Sequence, residues 1–181
     1  MNQRYVTLIG KGSLIAIVGG CAIADTATVR DVPEQLKVPV TQMRSHQVQA
    51  AGVQIYECEV RNGDPVGFEW VFKAPEADLF DSAGQKIGKH YAGPTWEASD
   101  GSKVVGEIKA RDNGPDPNAI PWLLLTAKST SGDGIFSRTR NIQRIHTTGG
   151  KAPAEGCLQT AVGVEARVPY KAEYFFYVER P

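Results

Sequence analysis

One stretch, 88–103, gathers most of the side chains that could do chemistry: His90, Tyr91, Trp96, Glu97, Asp100 and Lys103. Histidine titrates near neutral pH and becomes a general acid or base when a carboxylate orients it. His90 with Glu97 or Asp100 is therefore the candidate catalytic set, of the kind a hydrolase or isomerase would use. The competing reading is turn chemistry, with Gly93-Pro94 as a corner, Asp100-Gly101 in a hairpin and Trp96 in the core. A second group is Arg138, Arg140, Arg144 and His146, which share one parity in an expected strand over 135–147. Guanidinium groups on one face suit a phosphate or carboxylate; a solvated strand face would show the same alternation. A third is aromatic: Trp70, Trp96, Trp122 and Tyr91 could stack on a sugar or another flat ligand, or simply fill a core.

Other chemistries lack their motifs. His46, His90 and His146 are far apart, with no H-x-H, H-E-x-x-H or paired C-x-x-C, so no metal site is expected. No G-x-S-x-G marks a serine nucleophile, and no G-x-G-x-x-G opens a dinucleotide site, so no cofactor is expected either. The formal net charge is zero. That leaves no electrostatic footprint for nucleic acid.

The elements that would position these groups are strands. Segment 67–73 alternates Phe68, Trp70 and Phe72 with Glu69 and Lys73. Segment 168–179 alternates Val168, Tyr170, Ala172, Tyr174, Phe176 and Val178 with Lys171, Glu173 and Glu179. Further strands are expected over 52–60, 86–92, 94–98, 103–109, 120–128 and 135–147. Asp81-Ser82-Ala83-Gly84 and Ser99-Asp100-Gly101-Ser102 supply turns between them. The apolar run 120–128 reads as a central strand. A short helix is expected over 76–80 or 158–162, and no long amphipathic helix. Short strands with regular turns predict an all-β single domain, a β-sandwich or β-barrel with little helix.

Residues 1–24 read as an export signal: Arg4 and Lys11, an apolar run 12–20, then Ala22-Ile23-Ala24 before cleavage at Asp25. Val18-Gly19-Gly20-Cys21 also reads as a lipoprotein box, so a lipid anchor on Cys21 is the alternative. The apolar run is too short to span a bilayer, and no transmembrane span is expected. Residues 25–47, with Pro33 and Pro39, read as an extended leader arm laid on a domain of 48–181. Export to the periplasm or the extracellular space leaves Cys58 and Cys157 as an even pair in an oxidising compartment. They are expected to form a disulfide; two separate buried thiols are the alternative.

Several strings then come in order: Gly52-Val53-Gln54-Ile55-Tyr56-Glu57-Cys58, His90-Tyr91-Ala92-Gly93-Pro94-Thr95-Trp96-Glu97, Ile120-Pro121-Trp122-Leu123-Leu124, Ile142-Gln143-Arg144, Gly149-Gly150-Lys151-Ala152-Pro153, Gly156-Cys157 and Val168-Pro169-Tyr170. Over roughly 32–178 the chain resembles the exported bacterial and fungal proteins of domain-of-unknown-function family 3455. The resemblance implies export and a single domain, and brings no activity or catalytic residue. The leading expectation is an exported, non-catalytic β domain that binds a small molecule, a glycan or an envelope partner. An enzyme built on His90 and a structural or stress-related envelope protein are the alternatives.

Overall fold

The computed structural model describes residues 32–181. The expected export signal, the lipidation site at Cys21 and the start of the leader lie outside the described residues. Eight strands follow one another: β1 (Gln42–Val60), β2 (Phe68–Phe80), β3 (Lys86–Tyr91), β4 (Thr95–Ala98), β5 (Lys103–Asp112), β6 (Trp122–Ser131), β7 (Asn141–Gly149) and β8 (Glu165–Glu179). Each pairs antiparallel with the next, and β8 returns to β1, closing a barrel. The all-β expectation is borne out, as a barrel. Helix is confined to two single 3-10 turns, Glu34–Leu36 and Gln159–Ala161. Closure leaves the sheet as a whole without free outer edges.

Side-chain alternation sorts each strand between interior and exterior. The interior holds Val48 and Ala50 from β1, Ala77 and Leu79 from β2, Trp96 and Ala98 from β4, and Val104 from β5. Leu123 and Leu125 of β6, Ile142 of β7, and Tyr170, Ala172, Tyr174 and Phe176 of β8 complete it. The alternation read in 168–179 is thus the inward face of β8.

The exterior is apolar over β6, β7 and β8, where Trp122, Leu124, Ile145, Phe175 and Tyr177 are buried under Val32 and Leu36. Gln143 Nε2 donates to the Leu36 carbonyl at 2.6 Å and fixes that cover. This explains the uninterrupted run Trp122-Leu123-Leu124-Leu125: a strand buried on both faces has no polar face to show. The expected leader extends to 47, but β1 begins at Gln42 and pairs with Glu179 there. Within the described residues, the segment before β1 ends six residues earlier than expected.

One barrel end is plugged. The first part of the expected strand over 135–147 is a turn around Phe136; the rest is strand, in β7 from Asn141. Phe136 is fully buried against Phe176, with ring centroids 4.4 Å apart. Its N–H donates to Ser102 Oγ, which donates in turn to Asp100 Oδ1 at 2.6 Å. Asp100 also accepts from the Ser102 and Ile135 amides. Ser102→Ala would leave the Phe136 amide buried without an acceptor, costing about 1–3 kcal/mol. Urea unfolding of that variant should show the loss with the far-ultraviolet spectrum unchanged; full wild-type stability would mean that this amide does not hold the plug.

The opposite end carries the disulfide between Cys58 and Cys157. The expected pairing is borne out. It ties the β7–β8 connection to the end of β1, where Trp70 Nε1 donates to the Glu155 carbonyl and Tyr56 Oη to that of Gly150.

The barrel wall has a gap at this second end. β3 and β4 form a short hairpin. β3 pairs only with residues 77–80 of β2, and β4 only with 103–105 of β5. Above the hairpin tip, the facing edges of β2 and β5 have no strand between them. Pro75 sits on that stretch of β2, where a missing N–H costs no ladder bond on the open side.

Candidate functional site

The barrel is filled below and hollow above. A cavity of about 470 Å³ opens through the gap between β2 and β5. It lies in the size range of small-molecule sites. Its floor is a stack: the His90 ring lies on Trp96 with centroids 4.4 Å apart, and the Tyr174 ring meets both edge-on at 5.2 Å. Trp96 fits because residue 106 is glycine; a Cβ there would lie 2.9 Å from the indole. The walls are Leu123, Leu125, Ile120 and Tyr56. The rim carries Phe72 and Ile108, each 49% exposed, with Lys73 and Arg111 beside them.

The polar groups of this hollow are mostly donors. The Thr95 carbonyl, which can only accept, lies 2.8 Å from His90 Nδ1. Nδ1 therefore carries the proton, and Nε2 keeps a lone pair. Burial, reinforced by the charge of Arg144, lowers the His90 pKa to about 3 despite the opposing bond to Thr95, so the ring is neutral at ordinary pH. Arg144 Nε and Nη2 both donate to the Pro121 carbonyl, at 3.1 and 2.8 Å. Among the described residues no carboxylate forms an ion pair with Arg144, and no Asp or Glu lines the cavity. Gln54 Nε2 and Trp96 Nε1 are buried without a hydrogen-bond partner, and the buried hydroxyls of Tyr170 and Tyr174 lie beside each other, Gln54 and Arg144 without a well-formed hydrogen bond. Burial pushes both tyrosine pKa values up, so both hydroxyls stay protonated.

The candidates from sequence separate on this geometry. His90, Trp96 and Arg144 meet in the cavity. Glu97 follows Trp96 on β4 and so points outward. It accepts from Tyr91 Oη at 2.6 Å and pairs with Lys103 at 3.3 Å. The Tyr91 bond, with help from Lys103, holds the Glu97 carboxyl below its ordinary range, and the same bond raises the Tyr91 phenol. Asp100 belongs to the plug at the far end, where the Ser102 hydroxyl and nearby amides lower its pKa. Neither carboxylate reaches His90, so the expected acid–base set is not assembled. Trp122 is covered on the outside of the barrel and offers no platform.

Arg138 and Arg140 are exposed in the connection before β7 and do not join Arg144. The register of β7 slips between Ile145 and Thr148, which turns His146 outward to Glu173, 3.0 Å away. The shared parity of the four basic residues is broken at both ends by these irregularities. Among the described residues no three His, Cys, Asp or Glu side chains converge on a metal position.

Gln54, Tyr174, Phe72 and Ile108 belong to the site and were missed from sequence as site residues. A signal for Gln54 was present: it shares the inward parity of Tyr56 and Cys58, where an amide without a partner is unusual.

These features define a class: an eight-stranded up-and-down β-barrel, half filled, with an internal cavity that opens through its side. A family model described as Protein of unknown function (DUF3455) matches residues 39–178, and the chain belongs to that family. No curated protein and no solved structure matches the chain. Among the described residues no helix is long and apolar enough to cross a membrane. The disulfide is compatible with an exported protein.

Proposed function

We propose that this protein is an exported carrier or sensor domain that binds one small molecule inside the barrel and performs no chemistry on it. The observation behind this reading is the hollow upper half: an apolar chamber with a few convergent polar atoms that lack partners. Eight-stranded barrels are just wide enough to be filled by their own side chains or to hold one small ligand. The disulfide supports export, since such bonds persist in oxidising compartments. His90 has a proton fixed toward Thr95 and no carboxylate to turn it over, which speaks against a catalytic role.

The neutral dye N-phenyl-1-naphthylamine tests this reading. Its fluorescence should rise saturably on mixing with the disulfide-bonded protein, at one dye per chain. Leu123→Trp would push an indole into the chamber and should weaken the dye at least about tenfold with the fold intact. No saturable signal, or equal binding by the variant, would place the dye outside the barrel and remove the proposal.

A further inference from the structure

We infer that the molecule held in this barrel is an organic monocarboxylate with an apolar body, its carboxylate seated on Arg144. The inference rests on the cavity-binding reading above and adds the chemical class of the ligand.

Arg144 carries the argument. It projects from β7 into a chamber whose other walls are mainly apolar. It lines that chamber together with Tyr56, His90 and Tyr174. A guanidinium has five N–H donors in a fixed fork. Nε and Nη2 each use one on the Pro121 carbonyl. That bond locks the orientation of the fork, but a neutral carbonyl does not compensate the charge. The edge formed by Nη1 and Nη2, beside the neutral Tyr174 hydroxyl, carries a parallel pair of N–H groups, the geometry that takes a planar carboxylate bidentately. A charge held partly out of water without a counterion is unfavourable, and a bound anion would remove that cost.

The neighbouring polar atoms point to the same class. Gln54 Nε2 and Trp96 Nε1 can only donate and have no partner, and the protonated Tyr174 hydroxyl faces the same hollow. Such a set suits an acceptor-rich head group. Among the described residues, Arg144 is the one cation inside the chamber, which suits a single negative charge better than a phosphate dianion. Lys73 is at the rim and already shared with Glu57 and Glu59; Arg111 is exposed at the rim. The two rim cations flank Phe72 and Ile108, so the opening itself favours an amphiphilic anion.

The test is competition against N-phenyl-1-naphthylamine by three ligands with one tail: decanoate, decanol and decyl phosphate, near pH 7.5. Decanoate should compete at least about tenfold better than decanol and better than decyl phosphate. Arg144→Met should bring acid and alcohol to within about twofold of each other, each measured against the dye affinity of that variant. Arg144→Lys keeps the charge and loses the fork, and should fall between. Equal competition by decanoate and decanol in the wild type, with the dye bound, would overturn the carboxylate assignment and leave cavity binding standing. Tighter decyl phosphate would overturn it in favour of a phosphate head. Failure of the dye to bind at all would remove both. The wild-type ratios decide even if both variants fail to fold.

Discussion

Replacing Cys58 and Cys157 together by serine is expected to destabilise the protein by about 4–5 kcal/mol, the chain-entropy value for releasing a loop of roughly this length. The two residues are 99 apart in sequence, so the bond constrains more than half of the unfolded chain. In the folded state it joins groups that other contacts also hold. Cys58 N–H donates to the Val164 carbonyl, and the Gly163 N–H to that of Cys58. Trp70 and Tyr56 pin the same connection. The β spectrum should therefore survive while the melting temperature falls by roughly 10–15 °C. Paired urea titrations of the oxidised wild type and the double serine variant measure the difference. A loss below about 1 kcal/mol would mean that the unfolded chain is already compact enough for the crosslink to add little.

Acidification should expose the second large effect. The pKa of His90 is depressed in the fold to about 3, chiefly by burial, from an ordinary value near 6.5. Above the ordinary value the ring is neutral in both states, and its burial has no protonation cost. Below it, the unfolded chain binds a proton that the folded chain refuses. Stability should therefore fall as pH drops from about 6.5 toward 3, by up to about 1.4 kcal/mol per unit and by ~3 kcal/mol at pH 4. His90→Asn keeps a donor near Nδ1 for the Thr95 carbonyl and removes the titration. It should be less stable at pH 7, where the stack on Trp96 is lost, but its stability should change less between pH 6.5 and 4.5. The carboxylates with lowered pKa values, Glu97 and Asp100, titrate mainly below that window. Parallel slopes for variant and wild type would show that His90 is not the group responsible.

The barrel was legible where period and burial coincide. In 168–179 every second residue faces the interior, and the structure keeps that face from Tyr170 to Phe176. The run at 120–128 was legible as a buried strand, but not the reason for it. Its outer face is covered by Val32 and Leu36, a contact across more than eighty residues that local pattern cannot register. Two irregularities defeated the parity argument for the basic residues. The plug around Phe136 reads as strand because Ile135 and Phe136 are apolar, and a β7 bulge reverses His146. Segment 76–80 is strand, with Ala77 and Leu79 inward, and Pro75 concealed the continuity of β2. For the site, residue types identified His90, Trp96 and Arg144. The pairing of His90 with Glu97 failed because seven positions along a hairpin place the two on opposite faces of the wall.

The axial asymmetry of the barrel separates two kinds of selection on the sequence. At the plugged end each interior side chain is fixed by its neighbours, so volume changes there are penalised through stability alone. At the hollow end, Phe72, Ile108 and Leu123 border open space, and exchanging one apolar residue for another alters the chamber's outline more than its folding. The outline of the chamber can thus change while the scaffold stays the same, with the covalent tie at Cys58 securing the hollow end.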